Sequence, residues 1–383
     1  MRVLFVGSNP GGGGTESHFI SLCRALADAG HEVFAAVRPG DFIHRGLAQD
    51  GRIQLLPIEF KSRRDVSAVR ALARMARRIS PDWMIGAFKL EYWGIAVAAK
   101  TAGVPLALFS HLDQRIRPVM LHRLTRLVRG VIVPSEYLRG RSIDRGVPAE
   151  RVAVLPNPID ATHFGSHVAT RTKMRAALGL EPHDILVGFV GRFEPAKGVL
   201  ALAPALNNVM ASQSRLHALW VGHGKSEQEL RGIAASTGFE NRNHWMPWLD
   251  DVVPAYAAMD ILALPSVGSE TFGRVLVEAQ AHGIPVLGAM NGGIPEALLD
   301  GQTGRLLPAG DVEMWTAGIA ELVQNPQLRA RFGTQARRFA QRFASRHIAR
   351  DFLHVLDGFL EPRPIVDTSP VVPVTLAPKL PAD

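Results

Sequence analysis

The chain has 383 residues, of which 47% are hydrophobic and 20% are charged, and it carries a formal net charge of +8. This length and apolar content exceed what one compact core holds and suit two domains. No uncharged apolar run reaches the ~18 to 20 residues that a membrane-spanning helix requires, so we expect a protein that is not embedded in a bilayer.

Two features of the sequence bear on the compartment. Cys23 is the single cysteine and therefore cannot form a disulfide within the chain. The apolar run in residues 1–8 is too short for a signal peptide. Both features predict a protein of the reducing cytoplasm, and they leave open its attachment to the inner face of the cytoplasmic membrane.

The positive charge is concentrated in the N-terminal part of the chain. Residues 1–160 contain 23 Lys and Arg against 14 Asp and Glu, and the remainder contains 20 against 21. Two basic stretches account for most of the excess. They contain Lys61, Arg63, Arg64, Arg70, Arg74, Arg77 and Arg78 in the first, and Arg115, Arg117, Arg123, Arg126 and Arg129 in the second.

Three interpretations of this charge are open. The basic side chains can form solvated helix faces, or they can form a surface that meets anionic lipid headgroups or an acidic acceptor. Nucleic acid ranks last, because the basic runs lack interleaved aromatic residues and no recognition motif is present. We therefore expect no nucleic-acid partner.

Short β-branched runs alternate with longer helical patterns, which is typical of parallel sheets built from βαβ units. In the first half of the chain, a helix is expected from about Thr15 to Gly30, where a glycine ends it. The strands predicted there are Val3–Gly7, Glu32–Val37, Trp83–Ala87, Pro105–Ser110 and Val131–Pro134.

The same alternation restarts in the second half, and a helix is expected after each strand. Its predicted strands are Ile185–Gly191, His217–Val221, Ile261–Pro265 and Pro285–Gly288. Between the halves, Leu155–Asp160 contains two prolines and suits an interdomain hinge, so we place the boundary near residue 165. A helical stretch is expected from Val312 to about Leu360, and the proline-rich tail 362–383 is expected to be disordered.

A glycine-rich loop at residues 9–16, with the sequence Asn-Pro-Gly-Gly-Gly-Gly-Thr-Glu, lies between the first strand and the first helix. Free backbone N–H groups and the helix dipole favour an anion at such a position. The spacing does not fit a dinucleotide fingerprint, because the third glycine would fall on Glu16 or Ser17 and the next strand ends at Arg38 rather than at an acid. We interpret the loop as anion-facing, since a simple tight turn would not need four glycines.

A second loop follows the first strand of the second half, in residues 187–198, and Arg192 and Lys197 flank it. Two cations at the carboxyl end of a strand can offset most of the charge of a diphosphate without a metal. The sequence contains no Asp-x-Asp triplet, with which sugar transferases commonly hold a divalent ion. Two unrelated surface charges are the alternative.

A third loop and helix start lie in residues 269–278, where Glu270 and Glu278 stand eight positions apart. If both are helical, they are separated by about 12 Å of rise, and by over half that distance if the helix begins after Glu270. Glycosidase carboxylates lie roughly 5 to 9.5 Å apart, so this pair does not fit one glycosidic bond unless the chain folds back. It can instead bind the two ends of an elongated ligand. For Glu278 alone, a solvent-facing position on an amphipathic helix is the alternative.

Together these motifs resemble the retaining glycosyltransferase family 4, of GT-B fold. The resemblance covers the chain to about residue 361 and rests on five motifs in the family's order and spacing. They are Gly11–Glu16, Asn157–Asp160, Gly191-Arg192-x4-Lys197-Gly198, Glu270-x7-Glu278 and Asn291–Glu296.

The resemblance implies an α/β fold with two Rossmann-like βαβ domains that face each other across a cleft. Residues 1–165 would form the acceptor domain, and residues 166–345 would form the domain for the nucleotide-sugar donor. A C-terminal helix over 346–361 would pack back on the first domain, ahead of the tail 362–383.

The resemblance also implies roles for individual residues. The donor diphosphate would be bound by Gly13, Gly14, Arg192, Lys197, Gly273, Arg274 and Val275. Glu270 would orient the donor sugar beside His111, and Glu278 would bind the ribose. Leu112 separates His111 from Asp113, where the family often has His-Asp directly, which puts a role for Asp113 in doubt. Glu16 would face the acceptor or the donor sugar, and the base would lie near Gly222, Met246 and Trp248.

The function that follows is transfer of a sugar from a UDP- or GDP-linked donor, with retention and without a metal or a cofactor. A glycan or lipid-linked acceptor of a bacterial cell envelope, such as a polysaccharide or lipopolysaccharide, is expected. A nucleotide-sugar epimerase or hydrolase of the same fold, or a sugar-nucleotide binding module, is the alternative. An NAD-dependent oxidoreductase is less favoured, because the dinucleotide fingerprint fails.

Overall fold

The computed structural model describes residues 1–8, 10–63, 65–111, 113 and 118–360. Several residues on which sequence predictions rest lie outside this part of the chain. They are Asn9 of the glycine loop, the basic residues Arg64, Arg115 and Arg117, Leu112, and the tail 362–383.

The N-terminal sheet has seven parallel strands in the order β3-β2-β1-β4-β5-β6-β7. The strands are β1 (Arg2–Gly7), β2 (Glu32–Val37), β3 (Ile53–Pro57), β4 (Trp83–Gly86), β5 (Leu106–Phe109), β6 (Gly130–Val133) and β7 (Val152–Val154). Five of them lie where the sequence predicts. The two that the prediction missed, β3 and β7, are the edge strands, whose partly exposed residues give only a weak apolar pattern.

Helices connect these strands and cover both faces of the sheet. They are α1 (Gly14–Asp28), α2 (Phe42–Leu47), α3 (Val66–Ile79), α4 (Tyr92–Ala102), α5 (Pro118–Thr125) and α6 (Glu136–Asp144). As predicted, α1 begins at the glycine loop and ends just before Gly30.

The C-terminal sheet has six parallel strands in the order β10-β9-β8-β11-β12-β13. The strands are β8 (Ile185–Val190), β9 (Leu216–Val221), β10 (Asn243–Met246), β11 (Ile261–Leu264), β12 (Val286–Ala289) and β13 (Gly304–Leu307). The helices are α7 (Val168–Ala177), α8 (Val199–Met210), α9 (Glu227–Ala235), α10 (Val253–Ala258), α11 (Arg274–Ala281), α12 (Val312–Gln324) and α13 (Pro326–Ala340).

Two sequence expectations for this half are corrected. No α-helix follows β12; a short 3-10 turn, Ile294–Glu296, leads to β13 instead, because the glycines and the proline of this segment favour a turn. The helical stretch that was expected from Val312 to Leu360 is divided into three helices, and Asn325 caps the second of them with Pro326 at its first position.

The last helix, α14 (Ser345–Gly358), packs on α1 and belongs to the core of the N-terminal sheet. Its Phe352 ring lies 6.1 Å from the Phe5 ring and 5.9 Å from the Phe109 ring, measured between centroids. The chain therefore crosses twice between the two halves. Both crossings lie side by side, since the Ile159 N–H donates to the Phe343 carbonyl at 2.7 Å and the Ser345 N–H donates to the Ile159 carbonyl at 3.0 Å.

A buried carboxyl group, Glu91, lies at the carboxyl edge of the N-terminal sheet. It is 1% exposed, and its Oε1 accepts hydrogen bonds from the N–H (2.8 Å) and the hydroxyl (2.7 Å) of Ser8. Its other oxygen is buried and has no partner among the described residues. Burial raises the pKa of Glu91 to about 7, although the bonds from Ser8 act in the opposite direction.

We expect Glu91→Gln to stabilise the protein at alkaline pH. A carboxyl group whose pKa is raised in the folded state contributes stability below its unfolded pKa, and this contribution is lost as the pH rises through its folded pKa. The amide keeps an acceptor for Ser8 and never ionises. As the pH rises from about 5 to about 8, the free energy of unfolding of the variant should therefore gain about 2 kcal/mol relative to that of the parent.

Urea denaturation at both pH values measures this difference, with the exposed Glu150→Gln as the control. If the stability of Glu91→Gln and that of the parent depend equally on pH, folding does not raise the pKa of Glu91.

Candidate active site

Loops that follow strands of the two sheets meet in a cleft. The Thr271 hydroxyl, after β11, donates to the His111 carbonyl, after β5, at 2.8 Å. The Ser135 hydroxyl, after β6, donates to the Thr271 carbonyl at 2.6 Å, and the Ser269 hydroxyl donates to Asp113 at 3.2 Å. In α/β proteins ligands bind outside the carboxyl ends of the strands, so this cleft is the candidate site.

The loop after β11, residues 265–273, is held by the turn Asn291–Gly293. The Asn291 side-chain amide donates to the Ser266 carbonyl at 3.0 Å, and the Gly293 N–H donates to the Glu270 carbonyl at 2.8 Å. Gly292 has φ +59°, and a Cβ there would lie 2.1 Å from the Glu270 carbonyl oxygen. Only glycine satisfies both conditions, and the position of Glu270 therefore depends on it.

Glu296 ends the same motif and reaches across the cleft. Its two carboxylate oxygens accept from the N–H groups of Glu136 (2.7 Å) and Tyr137 (2.8 Å), in the first turn of α6. A carboxylate is favoured at a helix N-terminus by free N–H groups and by the helix dipole. Burial raises the pKa of Glu296, and the bonds from Tyr137 and Glu136 oppose that rise. Glu296 thus ties α6 of one half to the other half.

Lys197 and Glu270, which the sequence assigns to the diphosphate and the donor sugar, contact each other. Lys197 Nζ lies 2.6 Å from Glu270 Oε2, to which the Ser266 hydroxyl also donates at 3.3 Å. Arg192 takes a different position, since its side chain is 61% exposed and pairs with Glu194 at 3.0 Å. The structure therefore brings the lysine and the glutamate together, and it leaves the arginine at the rim.

Glu278 is buried at 6% exposure in α11, so the alternative in which it faces solvent is wrong. Arg274, one turn earlier, donates through Nε to its Oε1 at 2.6 Å, and the Tyr256 hydroxyl donates to its Oε2 at 2.8 Å. Burial disfavours the charge of Glu278, but Arg274 and His163 hold its pKa below the usual range. Glu278 is therefore an oriented, ionised carboxylate at neutral pH.

Arg274 also reaches the other half of the protein, because its Nη2 donates to the Ser21 hydroxyl of α1 at 3.3 Å. Sequence reasoning assigned a phosphate role to the backbone of Gly273, Arg274 and Val275 and missed this side chain. Gly273 is the N-cap of α11, and no side chain caps that helix among the described residues. The free N–H groups of its first turn suit an anion, and this role stays a prediction.

His111 is buried at the end of β5, and its ring packs against Phe109 and His18. The ring centroids lie 5.4 Å apart for His111 and Phe109, and 4.4 Å apart for His111 and His18. Burial and the charge of Arg274 lower the pKa of His111 to about 3, so this imidazole is neutral at pH 7. His111 Nε2 is buried and has no partner in the described part of the chain. Sequence reasoning missed His18, whose one signal is its position two residues after Glu16.

Asp113, which the sequence left in doubt, forms ion pairs and interdomain contacts. It pairs with Arg145 and, at 3.5 Å, with Arg141, and it accepts from the hydroxyls of Tyr137 (3.4 Å) and Ser269 (3.2 Å). Burial opposes its charge, but Arg145 and Arg141 keep the pKa of Asp113 below its usual value. These contacts assign it to the structure of the cleft.

The remaining predicted residues lie at the start of α1, which follows β1, and near the ends of β9 and β10. Gly13 caps α1 and Gly14 opens it, with open space where a Cβ of Gly14 would stand. Glu16 is buried in the first turn of that helix.

The Gly222 N–H donates to the Met246 carbonyl at 3.0 Å. Trp248 packs edge-on against the His223 ring with 5.9 Å between centroids. The ligand roles of all these residues stay predictions.

No group of three or more His, Cys, Asp or Glu side chains is arranged to hold a metal ion in the part of the chain that the structure describes. Lys197, Arg192 and the N-terminus of α11 are among the positive groups that the described residues bring to the cleft and that could face a diphosphate.

Two family models match the chain, one in each half. The model described as "Glycosyltransferase Family 4" matches residues 12–163, and the model described as "Glycosyl transferases group 1" matches residues 170–339. Together they include every motif on which the sequence resemblance rests, apart from the first residue of the glycine loop motif.

One similar protein is a D-inositol 3-phosphate glycosyltransferase of Rhodococcus jostii. It is 34% identical over 225 residues, which are 56% of this chain and 48% of that protein. The chain thus matches about half the length of this curated relative.

Solved structures resemble the whole described fold. HepE of Anabaena, in complex with UDP and glucose, superposes with a TM-score of 0.81 at 24% identity and covers 93% of this chain and 99% of its own. WaaG, a glycosyltransferase involved in lipopolysaccharide biosynthesis, superposes with a TM-score of 0.69 at 18% identity and covers 93% of this chain and 100% of its own. These likenesses confirm the predicted α/β fold of GT-B type.

We expect Glu296→Ala to favour an open arrangement of the two halves. The substitution leaves two N–H groups of α6 without their charged acceptor, and hydrogen bonds to charged groups contribute about 1.5 to 3 kcal/mol each. Small-angle X-ray scattering should show a larger radius of gyration for this variant than for the parent.

The exposed Glu313→Ala, in the first turn of α12, is the matched control and should scatter like the parent. If Glu296→Ala has the same radius of gyration as Glu313→Ala, the contact of Glu296 with α6 does not hold the cleft closed.

Proposed function

We infer that this chain, which belongs to glycosyltransferase family 4 and has the GT-B fold, transfers a sugar from a UDP-linked donor to a hydroxyl group with retention of configuration and without a metal. The observation that carries the proposal is the Lys197–Glu270 pair beside the N-terminus of α11, in the cleft between two parallel sheets.

The geometry supports a ligand with a diphosphate in its middle. Lys197 and the N–H groups of the first turn of α11 supply positive charge without a metal ion. Glu278 lies one turn further along the helix, where Arg274 and Tyr256 leave it ionised and oriented for ribose hydroxyls. Glu270 precedes the helix and would face the sugar. Glu270, the N-terminus of α11 and Glu278 thus follow one another in the order of the sugar, the diphosphate and the ribose of the proposed ligand.

Uridine is the base that we propose, with guanosine as the alternative outcome of the test. HepE of Anabaena, which has the same fold, binds UDP and UDP-glucose. In this chain the base would lie near Gly222 and Met246, whose backbones meet at the ends of β9 and β10.

In the proposed reaction the bond between the anomeric carbon and the phosphate oxygen breaks as the acceptor oxygen attacks on the same face. The departing phosphate oxygen takes the proton of the acceptor hydroxyl, so no protein base is consumed. Lys197 and the N-terminus of α11 stabilise the charge that develops on the leaving diphosphate, a contribution that is commonly the largest in such reactions. Glu270 and the neutral His111 position the sugar through hydrogen bonds.

Closure of the cleft would exclude water, which would otherwise hydrolyse the donor. The contacts of Thr271 with His111 and of Glu296 with α6 join the two halves, and they support the proposed closure.

The acceptor that we propose is a glycan or a lipid-linked molecule of a bacterial envelope, met at the surface of an anionic membrane. On α3, Arg70, Arg74 and Arg78 are exposed, and on α5 Val119 is 67% exposed beside Arg123. Basic side chains near an anionic bilayer contribute about 1 kcal/mol each. No helix in the described ranges has the length and apolar character needed to cross a membrane.

Replacement of exposed arginines on α3 should weaken binding to anionic vesicles. Arg70→Gln with Arg74→Gln removes two charges, so we expect about a tenfold or greater loss of binding to vesicles that contain phosphatidylglycerol, measured by flotation. Arg338→Gln with Arg346→Gln removes two exposed charges elsewhere and should leave binding unchanged. Equal flotation of the parent on neutral and anionic vesicles would contradict the membrane proposal.

Calorimetric titration with UDP, GDP and uridine tests the donor site. Lys197→Met should weaken UDP binding by about tenfold or more, because it removes one charge-assisted contact with the diphosphate, and it should leave uridine binding unchanged. Glu278→Gln should weaken the binding of UDP and of uridine, since both contain the ribose. Lys173→Met, an exposed position of α7, is the control.

When they are given a UDP-linked sugar, the same protein preparations should release free sugar slowly in the absence of an acceptor. With an acceptor present, they should form the transfer product at a higher rate. Turnover that an acceptor does not change would favour a hydrolase or an epimerase. If the folded parent binds no nucleotide, the proposed function is wrong.

A further inference from the structure

The inner face of α1 carries two buried polar side chains, His18 and Ser21, that take no part in the proposed reaction. They stand three positions apart, which places both on the same face of the helix, and they are 2% and 5% exposed. The His18 ring lies 4.4 Å from the His111 ring, measured between centroids, and the Ser21 hydroxyl accepts from Arg274 at 3.3 Å. Each of the two side chains therefore contacts a residue of the candidate donor site.

Two neighbouring rings hold the plane of the His111 imidazole. Phe109 stacks on it, with 5.4 Å between centroids and 12° between planes, while His18 meets it edge-on at 60°. His18 also packs edge-on against Phe109, with 4.6 Å between centroids. Edge-to-face and offset-stacked contacts are the favoured geometries of aromatic pairs, so the three rings form one packed unit. Loss of the ring at position 18 would free one side of the His111 imidazole.

Histidine is a costly residue at position 18. Its ring nitrogens have no hydrogen-bond partner of normal geometry among the described residues, although Asn157 lies close enough to act on the pKa of His18. Buried polar groups without a partner cost free energy, so an apolar side chain of similar size would give a more stable protein. The contact with His111 offers a reason for the imidazole. Aromatic pairs commonly lie about 4.5 to 7 Å apart, and a five-membered ring fits the shorter distance that is found here.

The two contacts of α1 reach different parts of the donor site. His18 touches His111, which we propose for the sugar. Ser21 touches Arg274, which in turn donates at 2.6 Å to Glu278, the residue that we propose for the ribose. Because Arg274 donates to Ser21, loss of the His18 ring leaves that contact in place. A change at position 18 should therefore act on the sugar and spare the nucleotide.

We propose that His18 is a positioning residue of the transfer reaction, which holds the His111 ring in the orientation that contacts the donor sugar. The proposal rests on the proposed function, because His111 is the group through which His18 acts. His18 itself is too deeply buried to touch a substrate. A small displacement of a group that orients a reacting sugar lowers the rate strongly, so the effect of His18 should appear in kcat rather than in UDP binding.

Hydrolysis of a UDP-linked sugar by the full chain tests this proposal. The probe is whichever of UDP-glucose, UDP-galactose and UDP-N-acetylglucosamine the parent hydrolyses fastest. We expect His18→Leu to lower kcat for this probe about tenfold or more, while calorimetry shows an unchanged affinity for UDP, which lacks the sugar. His18→Phe restores an aromatic ring and should have a kcat between those of His18→Leu and the parent. Cys23→Ala, at a buried position of the same helix, is the control and should keep the kcat of the parent.

A double-mutant cycle separates positioning from a general loss of structure. If His18 acts through His111, His18→Leu should cause almost no further loss of kcat in a protein that already carries His111→Ala. An equal loss in the parent and in the His111→Ala protein, or a parental kcat in His18→Leu, overturns the inference. If His18→Leu does not fold, the same cycle with His18→Gln, which is polar but lacks a ring, has the same two outcomes. A folded parent that binds no UDP, or that hydrolyses none of the three donors, would instead count against the proposed function.

Discussion

The close packing between the loop after β11 and the turn Asn291–Gly293 is the constraint on which the cleft depends. Because a side chain at Gly292 would overlap the Glu270 carbonyl, the two segments approach to backbone contact. This approach sets three features at once. It places Glu270 within reach of Lys197, it presents Thr271 to the N-terminal sheet, and it leads the chain into α11. The candidate donor-site residues Lys197 and Glu270 and the contact of Thr271 with the other half are therefore positioned by one piece of backbone.

The two halves are joined strongly at one end and lightly at the other. The crossings at Ile159 and Ser345 are hydrogen-bonded to each other, and α14 contributes Phe352 to the core of the N-terminal sheet. Across the cleft the contacts are individual hydrogen bonds, and those of Glu296, Asp113 and Arg274 involve a charged group. Such an arrangement favours rotation about the crossings over separation of the halves. A donor could then enter an open cleft and be enclosed as the contacts of Thr271 and Glu296 re-form.

Sequence reasoning predicted two parallel sheets without their edge strands, β3, β7, β10 and β13, and it placed the candidate loops at the carboxyl ends of strands. The resemblance to glycosyltransferase family 4 implied that Lys197 and Glu270 belong to one site, and the structure places them in contact. Because Arg192 and Lys197 belong to the same short motif, sequence reasoning did not predict that Arg192 would be largely exposed while Lys197 contacts Glu270. The contact of Glu296 with α6 spans about 160 positions of sequence and has no periodic signal, so no local pattern could reveal it. The burial of Glu278 could not be predicted for the same reason, because it depends on Tyr256, a residue of another helix.

The central claim is that the Lys197–Glu270 pair and the N-terminus of α11 form the site of a nucleotide diphosphate. A crystal structure of the full chain with UDP tests it most directly. The account predicts that the diphosphate contacts Lys197 and the first turn of α11, that Glu278 accepts hydrogen bonds from the ribose, and that Lys197 has turned from Glu270 toward phosphate oxygens. A UDP molecule bound elsewhere, with the Lys197–Glu270 contact unchanged, would contradict the account.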